Sequence, residues 1–292
     1  EFGTSFVRQM LVDTHPSSME ELVRISGLSH GTDVWLGNAQ DIIRNGLGTL
    51  KDAICTRDDI MNYLILCGVE KKLAFTIMES VRKGKGLKPE WETAMQSANV
   101  PDWYIDSCKK IKYMFPRAHA AAYVMMAFRI AYCKVHDPEA FYASYFTVRA
   151  DAFDVSMALG GAAAVKKNLK DIARKGKEAS NKELDLATIL EVVLEMNLRG
   201  IELLPVDMMR SDAKKFLIDG PGRLLPPLGA LPGLGAKAAQ SIADARAGGP
   251  FLSLEDVQQR AKVGKATTDI FVECGCSGDL PETNQTTLFM GL

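Results

Sequence analysis

None of the six cysteines forms a Cys-x-x-Cys pair, and none of the four histidines is spaced to complete a metal site with them. Free thiols in a reducing cytosol are therefore expected. No apolar run is long enough to span a membrane, and no signal peptide opens the chain, so no membrane partner is expected. There is no excess of basic residues either: the net charge is −1. Any contact with a polyanion must then be local. The start, Glu1-Phe2-Gly3, carries no initiator Met, which is expected of a piece cut from something longer.

What is present is a chain of 292 residues, 47% of them apolar, enough for two domains with sizeable cores. The first 200 residues read mainly as helix. Thr56 followed by Asp59 signals a helix through Leu66, ended by Gly68. Further helices are predicted over Lys71–Lys83, Asp102–Met114, Ala118–Val135, Glu139–Arg149, Ala162–Lys175 and Leu184–Leu198, the last closed by Gly200. Beyond Gly200, Ile201–Val206 and Lys215–Ile218 are short strand-like runs, which places a domain boundary there. The fold class is mainly α: a helical domain over 1–199, a small domain with short strands over 200–279, and a flexible tail over 280–292. The stretch Arg174–Lys182 reads as a solvated charged turn.

Leu231-Pro232-Gly233-Leu234-Gly235-Ala236-Lys237 is an apolar-Gly-apolar-Gly turn that opens a helix over Ala236–Ala247. Gly233 and Gly235 allow positive φ and let a phosphate approach the backbone. The helix start offers free N–H groups from Ala236 onward, and Lys237 adds a charge. A dinucleotide loop needs a third glycine where Ala238 stands, and a βαβ setting. The pattern resembles the helix-hairpin-helix motif, which grips DNA backbone without reading sequence. A degenerate second copy, Ala261-Lys262-Val263-Gly264-Lys265-Ala266, precedes a helix over Thr268–Glu273. The alternative is a loop that merely turns the chain.

In Phe115-Pro116-Arg117-Ala118-His119, Pro116 fixes a helix start. Arg117 then lies in the first turn, where a cation is unfavourable against the dipole unless an anion is there too. His119 and Tyr123, four apart, share a face, and Ala120–Ala122 leave room for something flat. This suits a triphosphate at the helix start with a base further along. It equally suits a buried helix whose arginine pairs with a neighbouring carboxylate. Ile25–Trp35 reads as a glycine-punctuated loop in which Ser29, His30 and Thr32 can donate to an oxygen-rich ligand.

The chain closes on Gln285-Thr286-Thr287-Leu288-Phe289, a Gln-x-x-Leu-Phe pentapeptide. Leu288 and Phe289 would fill a pocket and Gln285 would bond its rim. The pattern resembles the sliding-clamp-binding peptide of bacterial replication proteins.

Ser26–Leu36, Phe115–Phe146, Leu231–Ala239 and Gln285–Phe289, in this order, resemble the C-terminal part of the PolC-type replicative DNA polymerase III of low-GC Gram-positive bacteria. The DnaE type carries a further OB domain after its hairpins, whereas this chain goes almost directly to the clamp peptide. The resemblance implies that 1–199 are fingers closing on the incoming dNTP, with Ser26, Ser29, His30, Phe115, Arg117, His119 and Tyr123 facing it. It implies that 200–279 bind template-primer duplex through Gly233, Gly235, Ala236, Lys237 and Lys265. The tail would bind the sliding clamp through Gln285, Leu288 and Phe289, in a cytoplasmic replisome. Polymerisation also needs two Mg²⁺ ions held by palm carboxylates. No Asp-x-Asp lies on a strand here: Asp58-Asp59 sit at a helix start, and Asp151 with Asp154 read as capping. The palm and the remaining polymerase domains are expected upstream of Glu1, and the chain alone is expected to be inactive. The competing reading is a non-catalytic DNA-binding adaptor docked on a clamp; a purely protein-binding helical scaffold has less in its favour.

Overall fold

A computed structural model describes residues 1–284. Gln285, Leu288 and Phe289 lie outside the described residues. The chain divides into two compact units, Glu1–Ala131 and Tyr132–Leu292. The change of local character at Gly200 falls inside the second.

The first unit is helical. It contains α1 (Ser5–Thr14), α2 (Met19–His30), a kinked turn over Trp35–Ala39, α3 (Gln40–Arg44), α4 (Arg57–Leu66), α5 (Lys71–Arg82), α6 (Pro89–Ser97), α7 (Asp102–Lys110) and most of α8 (Arg117–His136). Caps set the starts. Val7 N–H donates to Thr4 Oγ1 at 3.3 Å and Glu21 N–H to Ser18 Oγ at 3.3 Å. At α4 the Asp59 carboxylate accepts from Thr56 N–H at 2.8 Å and from its hydroxyl at 3.1 Å. The core gathers Ile25, Leu28, Trp35, Ile60, Ile77 and Tyr104.

Two expectations are corrected here. Ser26–His30 is not loop but the end of α2, and Ile25, Ser26, Gly27 and Leu28 are buried. Gly27 is a packing residue: a Cβ there would stand 2.5 Å from the Cys55 carbonyl oxygen and 2.8 Å from Thr56 Cγ2. Gly27→Ala is therefore expected to destabilise the unit by about 1–3 kcal/mol. A calorimetric Tm equal to that of the parent would mean that α2 does not run so close to α4. The helix predicted over Asp102–Met114 stops at Lys110. Tertiary pairing wins over helical propensity beyond it: Thr32 N–H donates to Tyr113 O at 2.9 Å and Lys112 N–H to Thr32 O at 3.1 Å, while Ile111 and Met114 are buried.

The second unit holds the end of α8, α9 (Pro138–Val148), α10 (Val155–Ala158), α11 (Gly161–Arg174), α12 (Asn181–Leu198), three short strands, α13 (Ala236–Ala245), α14 (Leu254–Ala261) and α15 (Lys265–Glu273). The last of the predicted long helices starts at Asn181, earlier than Leu184. Ser180 caps it: Glu183 N–H donates to Ser180 Oγ at 3.3 Å, and Ser180 N–H returns to the Glu183 carboxylate at 2.9 Å. In the sheet, β3 (Arg223–Leu225) is central, β1 (Glu202–Leu203) runs parallel to it and β2 (Leu217–Ile218) antiparallel. One apolar core runs unbroken from α9 to α15 through Tyr142, Phe146, Leu190, Phe216, Ile242 and Phe271. That continuity joins the helices before Gly200 to the hairpin module after it.

The expected tail does not begin at 280. Leu280 packs against this core, and the carbonyls of Pro281 and Glu282 accept from Leu254 N–H (2.9 Å) and Glu255 N–H (3.1 Å). They supply acceptors to the first free amides of α14.

Candidate functional site

The aromatic residues singled out in the first unit meet. Three segments bring them together: the end of α2, the extended run Ile111–Phe115 and the first turns of α8. Phe115 stacks on His119 with centroids 4.8 Å apart, and His119 meets Tyr123 at 4.4 Å with the rings tilted by 34°. His30 and Tyr113 each set an edge toward Phe115, at 5.6 and 5.4 Å. The result is a ladder of rings ending on exposed Tyr123. His30 Nδ1 lies 2.9 Å from the Ser26 carbonyl oxygen, an acceptor only, so this nitrogen carries a proton. Ser29 Oγ lies 2.9 Å from the same nitrogen and donates to the Ser26 carbonyl at 3.0 Å. Ser26 itself is buried, and its hydroxyl donates to the Glu1 carboxylate. It shapes the ladder's base rather than its surface.

Arg117 takes a different direction. At 100° per residue it lies about 160° around α8 from His119. Its backbone N–H donates to Asp58 Oδ2 at 2.6 Å; its guanidinium pairs with Glu20 at 3.3 Å and Asp59 at 3.4 Å. An anion does sit at this helix start: the Asp58 carboxylate. Arg24 joins the group, 3.2 Å from Glu20 and 4.0 Å from Asp59. The hydrogen bond from Arg24, followed by that from Arg117, lowers the Glu20 pKa. Arg24, Lys51, Asp52, Asp59, Tyr63 and Arg117 border a cavity of about 370 Å³, in which three cations face two carboxylates. Yet α8 is no buried helix: only Ala120 and Val124 are buried, while Met125, Met126, Phe128 and Ile130 are exposed.

A second cation cluster, not evident as a whole from the sequence, surrounds Glu79. Glu79 is held by Arg82 at 2.5 Å, Lys83 at 2.9 Å and Arg57 at 3.6 Å. The Arg82 hydrogen bond, then that of Lys83, bring the Glu79 pKa down to about 2. That pairing stabilises the fold above the ordinary carboxyl range near 4.5 and fades as pH falls toward 2. Arg57 Nε is buried without a partner. Backbone bonds set this cluster beside the ladder's approach: Arg57 N–H to Phe115 O at 3.1 Å, and Met114 N–H to Arg82 O at 3.3 Å. Glu79, Arg82 and Lys83 follow helical pair spacing, which was legible; Arg57 comes from another helix and was not.

Asp58 and Asp59 do not fit a pair of Mg²⁺ ions. Their oxygens are taken by a cap, a helix amide and two arginines. Asp154 caps α10 through Ser156 N–H at 3.0 Å. Among the described residues no group of three His, Cys, Asp or Glu is placed to hold a metal ion.

In the second unit the two glycine turns open helices of one apolar core. Gly233 has φ +85°, and a Cβ there would touch Ile270 Cδ1 of α15 at 3.5 Å. Gly235 starts α13 and Gly264 starts α15; neither has a side-chain cap, and nothing stands within 4 Å of either Cβ position. The first amides of both helices, from Ala236 and from Lys265, are thus open to an anion. The second helix begins at Lys265 rather than Thr268, because Gly264 already provides its start. Two arginines of the module are structural. Arg260 donates to the carbonyls of Ala245 (2.6 Å), Gly249 (2.7 Å) and Pro250 (3.0 Å), and Arg246 to that of Met208 (3.0 Å). Lys237, Lys262 and Lys265 are exposed.

Residues 1–100 match the bacterial DNA polymerase III alpha subunit finger domain, and residues 200–287 match a helix-hairpin-helix motif. The fingers match sets the class: this is part of an alpha-subunit chain of bacterial DNA polymerase III, here followed by a helix-hairpin-helix module. The chain is 60% identical over 289 residues to the PolC-type DNA polymerase III of Caldanaerobacter subterraneus, covering 99% of this chain and 21% of that relative. It is 58% identical to the Bacillus subtilis PolC-type enzyme and 56% to that of Clostridium perfringens, over 20% of each. Within bacterial DNA polymerase III, the chain belongs to the PolC-type family and spans about a fifth of the length of these relatives. Among the described residues no helix is long and apolar enough to cross a membrane.

Proposed function

We propose that this chain works as the nucleotide-facing, duplex-gripping and clamp-tethering part of a replicative DNA-directed DNA polymerase in the bacterial cytoplasm. The observation that carries the reading is the pair of uncapped glycine turns opening α13 and α15 of one unit. Phosphates of the template-primer duplex dock on the two helix starts, and Lys237 and Lys265 add charge. Recognition is of backbone and is blind to sequence.

The incoming dNTP lays its base against the ladder of Phe115, His119 and Tyr123, with His30 closing one end. Its phosphates lie over the start of α8, and Arg117 exchanges Glu20 and Asp59 for them. A DNA-binding adaptor has no use for this arrangement, so nucleotide binding separates the two readings. The Mg²⁺ ions of the reaction would be held by carboxylates elsewhere in the complete polymerase, and the sliding clamp takes Gln285, Leu288 and Phe289.

The hairpin reading is tested by titrating a duplex against salt. Gly235→Val is expected to block the backbone approach and weaken binding at every sequence. Lys237→Ala is expected to reduce the magnitude of the salt slope by about one unit. Parental affinity in a correctly folded Gly235→Val variant would reduce the hairpin to a turn.

A further inference from the structure

The stretch Gly161–Lys182 carries seven basic and two acidic residues in a chain whose net charge is −1. On α11, Val165 and Ile172 are buried and define the inner face. At 100° per residue, Lys166, Lys170, Arg174 and Lys167 fall within an arc of about 100° on the opposite face. All four are exposed. Arg174 pairs with Asp171 at 3.0 Å, and Lys175 in the following turn is tied to Glu183.

Stability does not account for this arrangement. Elsewhere the chain alternates signs at helical spacing, as in Glu20–Arg24 and Glu79–Lys83. On α11, Lys166 and Lys170, and Lys170 and Arg174, are like charges four apart, which repel. The helix dipole favours cations only in the last turn, so it rationalises Arg174 but not Lys166 or Lys167. A face of one sign, held on a rigid helix, complements a polyanion. Lys166 to Arg174 spans about 12 Å, which matches several consecutive phosphates along one strand of a duplex. No aromatic residue lies between Gly161 and Lys182. Binding of a single strand needs rings for the bases to stack on; a duplex, with its bases stacked inside, needs only cations.

We infer that the Lys166–Arg174 face of α11 is a second backbone grip on duplex DNA, separate from the two hairpins. The inference rests on the duplex-binding reading above. α11 and the hairpins belong to one unit with one core, so both grips sit on the same body.

The test uses the 292-residue chain and two probes, a 30-base-pair duplex and a 30-nucleotide single strand, titrated between 50 and 200 mM salt. The triple change Lys166→Ala, Lys167→Ala, Lys170→Ala is expected to reduce the magnitude of the duplex salt slope by about 0.9 per lysine. The parent's advantage should then shrink roughly forty-fold across that salt range. The triple Lys→Arg variant keeps the charge and should keep the slope, which separates loss of charge from loss of fold. An unchanged duplex slope in the alanine variant overturns the inference, as does a loss confined to the single strand. Gly235→Val, measured in parallel, keeps the readings apart. If it weakens duplex binding while the lysine variant does not, only the α11 inference fails. If neither weakens it, the duplex-binding reading fails as well.

Discussion

Alanine at both Leu288 and Phe289 is expected to remove most of the affinity for a sliding clamp. Each side chain, buried on docking, contributes about 1.5–3 kcal/mol, so the pair accounts for a loss of two orders of magnitude or more. Gln285→Ala should cost about 1 kcal/mol, the net value of a rim hydrogen bond. In the complete polymerase the double change should shorten products on long templates. A single incorporation should proceed at the parental rate, because tethering raises effective concentration without touching chemistry. Equal stimulation by clamp in variant and parent would show the pentapeptide to be a chance match.

The second large effect is expected at the ladder. Stacking a base on an aromatic side chain is worth about 1–3 kcal/mol. Phe115→Ala or Tyr123→Ala in the complete polymerase should therefore raise the KM for dNTP by roughly 5- to 150-fold and leave duplex affinity alone. Tyr123→Phe keeps the ring and should behave like the parent. Arg117→Ala should act on the same step, since a charge-assisted phosphate contact is worth about 1.5–3 kcal/mol. Its pairs with Glu20 and Asp59 give it a structural role too, and thermal melting tells the two apart. A lowered Tm with unchanged nucleotide kinetics would assign Arg117 to the carboxylates alone.

The local chemistry of many elements was plain in the sequence. Thr56 and Asp59 cap a helix because their spacing lets one carboxylate reach the amide and hydroxyl at its start, and that requires no distant partner. Gly233 and Gly235 announce a turn for the same reason. Elements failed to be legible where a distant group decided. Gly27 looks like loop punctuation until the Cys55 carbonyl is placed against it. Ile111–Met114 continues a helical pattern, but Thr32 and Arg82 claim its backbone groups. The ladder was half visible, through His119 and Tyr123 at helical spacing; His30 and Tyr113 join it only through tertiary structure. That Arg117 leaves the ladder's side of α8 follows from counting 100° per residue, but Glu20 as its partner does not.

The seating of Pro281 and Glu282 on the first amides of α14 sets the length of a leash. From Glu282 to Gln285 is three residues, which even at full extension cover about 10 Å. On the tethering proposed above, a ring that takes Gln285 would be held within about this distance of Glu282. Lengthening this short link by a few glycines would let the ring drift while keeping every docking contact. Loosening that connection should cost register between ring and duplex before it costs affinity.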